Sequence, residues 1–140
     1  MSDLISLTIT RLKTVSTFKL VAGLLAFNAL VQPPLDKLPA VFALPHEKTG
    51  YGANGLLNAV RQQGRENVRL ILLVASKAPQ ADDAVNPIQP VEDAVMTSLL
   101  GWQPDSTQGV VQFASAKLLD VQPTFFTYEM VFMRDHTVRA

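Results

Sequence analysis

Residues 67–75 read "NVRLILLVA", and residues 70–74 within them are apolar without alternation. A strand with one wet face alternates apolar and polar side chains. An unbroken apolar run of strand length therefore marks a strand covered on both faces, and such a strand lies centrally in its sheet. The chain around it must supply the cover. With 140 residues, 48% of them apolar and 17% charged, it reads as one globular domain spanning residues 1–140. A domain of that size buries roughly two-thirds of its unfolded surface.

Other segments supply candidate neighbours. Residues 40–44, "AVFAL", form a short strand between Pro39 and Pro45, and proline at both ends suggests an edge position. Residues 109–121 and 124–135 read as two more strands, with a link around 120–123 short enough for an antiparallel hairpin. In the last strand Phe126, Tyr128, Met130 and Phe132 share one face. At the start, Leu4 or Ile5, Ile9, Leu12 and Val15 lie near one helical face, with Ser2 as N-cap and Asp3 in the first turn. The alternation Ile5, Leu7, Ile9 also permits a strand. A second helix begins at Pro90. Val91, Val95 and Leu99 form its stripe, with Ala94 and Met96 beside them. Glu92 and Asp93 sit at its positive end, Gly101 suits the C′ position and Pro104 blocks continuation. The expectation is an α+β fold. Its sheet is mainly antiparallel and four-stranded, from residues 40–44, 67–75, 109–121 and 124–134, with the helices packed on one face.

Residues 20–31, "LVAGLLAFNALV", are the most apolar window, and Pro33-Pro34 stops them. The window is too short to span a bilayer, which takes about 20 residues. Arg11, Lys13 and Lys19 upstream give it a faint likeness to a signal peptide, but the basic residues are scattered and no small-x-small cleavage site follows. It reads as a buried segment packed on the core. No membrane association is expected. The chain has no cysteine, which excludes disulfides, thiolate metal sites and a cysteine nucleophile. Twelve basic residues balance twelve acidic ones. Zero net charge gives no general reason to bind nucleic acid or an anionic membrane, and it leaves little self-repulsion to oppose association.

Residues 46–64 read as a long polar loop, and within it Gly50, Gly52 and Gly55 spell G-x-G-x-x-G after a candidate strand. In the dinucleotide fingerprint the first glycine turns directly off the strand, and a helix N-terminus at once faces the pyrophosphate. Here residues 45–49 intervene. The acidic residue needed about 20 positions on is replaced by Ser76 and Lys77 at the end of the next strand. The chain also closes with an antiparallel hairpin where parallel βαβ units would continue. A small-ligand or nucleotide-binding module using residues 50–55 is thus the alternative reading, and a loop whose glycines and Asn54 supply turns is the favoured one.

No other motif carries chemistry. There is no G-x-S-x-G, H-E-x-x-H or P-loop. His46-Glu47 and Asp135-His136 pair imidazole with carboxylate, but adjacent residues cannot chelate from one face. No catalytic residue, metal or cofactor is expected. Arg61, Arg65 and Arg69 recur every four residues, weak evidence for anion binding. Trp102, directly after a helix, reads as a core anchor packed on Val95 or Leu99, or as an interface anchor.

The segment "LLGWQPD" at residues 99–105, with "FASAKLLD" at 113–120, resembles the tail terminator, or tail completion, proteins of long-tailed bacteriophages and prophages. The order agrees along nearly the whole chain. An N-terminal helix precedes "P-x-V-F-x-L-P" at 39–45 and a glycine-containing loop. A strand follows at 65–74, then the helix closing in "L-L-G-W-x-P", a strand carrying "K-L-L-D" and an aromatic final strand. The resemblance implies a non-enzymatic virion protein, assembled in the host cytoplasm into the virion tail. It would form a ring, commonly hexameric, on the tail-tube protein. The ring would stop tube growth and offer a docking face to the head-completion, or connector, protein, with DNA passing through its lumen without sequence-specific contacts. In that setting the loop at 46–64 would be poorly ordered in an isolated subunit and order against a neighbour. The interaction residues expected are His46, Lys48, Tyr51, Asn54, Arg61, Arg65 and Trp102.

Overall fold

The computed structural model describes residues 3–50, 61–76 and 86–139. Helix α1 (Leu4–Leu12) is followed by strand β1 (Leu20–Gly23), helix α2 (Leu24–Asn28) and a short 3-10 turn at Leu35–Lys37. Then come β2 (Ala40–Gly50), β3 (Arg61–Ala75), α3 (Gln89–Leu99), β4 (Gln112–Val121) and β5 (Phe125–Arg139). The strands form one sheet in the order β1-β2-β3-β5-β4. β3 is its central strand, as the unbroken run at 70–74 requires.

Register sets two distinct faces. On one, Val68, Leu70, Leu72 and Val74 of β3 oppose Phe132, Met130, Tyr128 and Phe126 of β5. Val41 and Ala43 of β2 join them, opposite Leu72 and Leu70. α1 and α3 cover this face through Leu4 and Leu12, and through Val91, Val95 and Leu99, all buried. These are the helical stripes read from the sequence. The opposite face carries Ala40, Phe42, Leu44, Ile71 and Leu73, with Phe27 and Leu30 packed against them.

The sheet thus differs from the expected one. It has five strands and is mixed, because β1 runs parallel to β2 with Leu20 opposite Ala40. The helices occupy both faces, because α2 lies opposite α1 and α3. The apolar window at 20–31 is divided at Gly23, where strand turns into helix. A side chain there would meet Ile9 Cδ1 at 3.2 Å, so glycine lets α1 approach β1 closely.

β2 is not an edge strand either. Pro45 pairs with Val68 beside a register shift between Pro45 and Lys48, so the missing N–H falls at a bulge, where proline is tolerated. The polar stretch at 46–64 is not all loop. β2 runs on to Gly50 and β3 starts at Arg61, with Lys48, Thr49 and Gly50 opposite Glu66, Arg65 and Gly64. Lys48 and Thr49 are exposed, so ladder hydrogen bonds form there without apolar patterning. β4 begins at Gln112 rather than 109, and β5 continues to Arg139.

Local termini follow side-chain chemistry. α1 is capped by Asp3, not Ser2: its Oδ1 accepts from the Ser6 amide at 2.7 Å. α3 ends at Leu99 with Leu100 as C-cap, and Gly101 beyond it has a φ of 79°, the left-handed geometry of a C′ residue. Inside the fold, the Tyr128 hydroxyl donates to Glu92 Oε2 at 3.0 Å and ties β5 to α3. Burial, and then the Glu92 hydrogen bond, push the Tyr128 pKa upward. A raised folded-state pKa gives a stability contribution fully present below the unfolded value of about 10 and lost as pH rises through the folded one. In a Tyr51→Phe variant, alkaline absorbance titration should show the remaining phenol ionising above free tyrosine. An ordinary tyrosine titration would remove the Glu92 contact from the account.

Candidate functional site

β3 and β5 pair over fifteen residues, from Arg61–Arg139 to Ala75–Phe125, a ladder of about 50 Å at 3.3 Å per residue. Its far end, with the adjoining end of β2, is polar. Here the buried face of the sheet ends in charge. Glu66 continues the row Leu70, Val68 on β3, and Arg134 continues Met130, Phe132 on β5. Their side chains are 6% and 2% exposed, and Arg134 Nη2 lies 3.2 Å from Glu66 Oε2. Arg134 Nε donates to the same oxygen at 3.3 Å. The other oxygen, Oε1, accepts from the Leu4 amide at 3.1 Å, so the carboxylate also sits at the positive end of α1.

Outside this pair lies a groove of about 280 Å³ lined by Asp3, Ile5, Pro45, His46, Lys48 and Glu66, with Glu47 and Asn67. Lys48 Nζ comes within 3.9 Å of Glu66 Oε1 while staying largely exposed. On the neighbouring strand pair, Arg65 Nε is 3.8 Å from Asp135 Oδ1. Three buried polar atoms have no hydrogen-bond partner among the described residues: Asn67 Oδ1, Arg134 Nη1 and His136 Nδ1. All three residues lie on β3 or β5 at this end.

Residues 102–109 pack beside the same stretch of β5. The Gly109 amide donates to Asp135 O at 2.9 Å, and the Thr137 amide to Gln108 Oε1 at 2.8 Å. Asp105 anchors the turn by accepting from the Thr107 amide and hydroxyl, which lowers its pKa. Trp102 opens this connection. It is half-buried, packs against the α1–α3 core, and lies under Arg11, whose Cζ is 4.8 Å from the ring centroid. Arg11 Nε in turn donates to Ser98 O at the end of α3. The tryptophan therefore clamps α1 to α3 rather than filling the core. Trp102→Ala should cost on the order of 2 kcal/mol, below the roughly 3–5 kcal/mol of a fully buried aromatic. A thermal melt checks this, and an unchanged midpoint would make Trp102 a surface residue in energetic terms.

On the other face a second buried carboxylate, Glu129, is held by two cations. Arg69 Nε donates to Oε1, and Lys117 Nζ lies 3.6 Å from Oε2. Arg65 and Arg69 thus belong to ion pairs within the sheet, which accounts for part of the arginine spacing without an anion.

Of the residues expected at an interaction site, the structure brings His46, Lys48 and Arg65 to the polar end of the sheet. Arg61 stands at the same end, in register with Arg139. Trp102 lies apart, at the junction of α1 and α3. Tyr51 and Asn54 lie outside the described residues, as does most of the glycine motif. The motif's context is nevertheless settled at its borders: β2 reaches Gly50, and the next strand, β3, returns antiparallel. A dinucleotide fingerprint joins parallel strands, so this arrangement is not the one that motif requires. Sequence reading missed Glu66, Arg134 and Glu129, although strand parity places each on a buried row. Among the described residues no three His, Asp or Glu side chains gather as a metal site. No helix among them is long and apolar enough to cross a membrane.

A family model described as Phage tail terminator protein matches residues 2–140, essentially the whole chain. No curated protein matches the sequence.

Proposed function

From the premise that the chain belongs to the phage tail terminator family, and so has a role in phage tail assembly, we propose that it caps the tail tube as a hexameric ring. The ring stops tube polymerisation and presents a docking face to the head-completion, or connector, protein. DNA passes through its lumen without sequence-specific contacts. The role is structural and non-enzymatic, and assembly takes place in the host cytoplasm before the protein takes its place in the virion tail.

The observation that carries this reading is the family match over the whole chain. The polar end of the sheet supports it with exposed side chains: His46 and Lys48 line an open groove, and Arg65 is exposed at the same end on the opposite face. We assign interaction with the tube or connector to His46, Lys48, Arg61 and Arg65, with Tyr51 and Asn54 on the connecting segment. The balanced charge of the chain leaves association between copies unopposed.

The test is tube growth. Tail-tube protein polymerised in the presence of the chain should give short tubes, each bearing a ring at one end in electron micrographs. Tubes of unchanged length, with no density added at their tips, would sink the reading.

A further inference from the structure

We draw no further inference here: the strongest candidate, the exposed apolar surface at the two edges of the sheet (Leu24 and Leu25 on α2 beside β1, Leu118 and Val121 on β4), carries none, because nothing in the structure shows what covers it.

Discussion

Glu66→Ala is expected to cost on the order of 3–5 kcal/mol of folding stability. The reason is what it leaves behind. Arg134 is 2% exposed and already has one nitrogen, Nη1, without a partner among the described residues. Its guanidinium keeps its place under α1 only because the Glu66 carboxylate balances it. Removing that carboxylate strands a buried cation, and Lys48 at the groove mouth then adds to the unpaired positive charge. The Leu4 amide loses its acceptor as well. Domain stabilities are about 5–15 kcal/mol, so the loss is a large fraction of the whole. Urea denaturation measures it. Glu66→Leu combined with Arg134→Met should recover much of the loss, since a buried ion pair is often no more stabilising than apolar side chains of similar size. A loss below about 1 kcal/mol in the single variant would show that water reaches Arg134 and that the pair behaves like a surface one.

That pair also shows where a sequence stops being legible. The central strand, the stripe of α3, the glycine after it and the aromatic row of β5 were readable, because each follows from a local period or a local backbone need. Glu66 and Arg134 are 68 residues apart, in stretches whose polarity reads as solvation. Only the register of β3 on β5 makes them neighbours. A signal existed in strand parity: Glu66 follows the step of two through Leu70 and Val68, and Arg134 through Met130 and Phe132. The same register brings Lys48 and Arg65 to one end of the sheet, on opposite faces, which the sequence could name but not place. β1 was hidden for a different reason. Its four residues share one apolar run with α2, and neither period develops over so short a length. The parallel pairing that makes β1 a strand comes from β2, not from its own side chains.

Phe42→Ala should destabilise the protein by roughly 3–5 kcal/mol, and it tests the half of the fold that the sequence concealed. Phe42 is fully buried at the centre of the second face, among Leu38, Ala40, Leu44, Ile71 and Leu73. Its ring meets that of Phe27 with centroids 5.1 Å apart, tilted by 57°. Through that contact α2 is held to the sheet, and with it the end of β1. Among the described residues the cluster around Phe42 has six buried apolar members, fewer than the α1–α3 cluster, so there is little neighbouring bulk to collapse into the cavity. Phe27→Ala removes the other ring of the pair from a half-buried position on a five-residue helix. It should cost on the order of 1–2 kcal/mol. Hydrogen exchange separates the two effects. Phe42→Ala should speed exchange throughout β2, β3 and β5, because the central strands open together. Phe27→Ala should speed it only across residues 20–38, with β3 and β5 as protected as in the wild type. If Phe27→Ala instead lowers protection across the whole sheet, then β1 and α2 fold as one cooperative unit with the strands. The apolar edge they present would then be a fixed feature of the fold rather than a separately opening one.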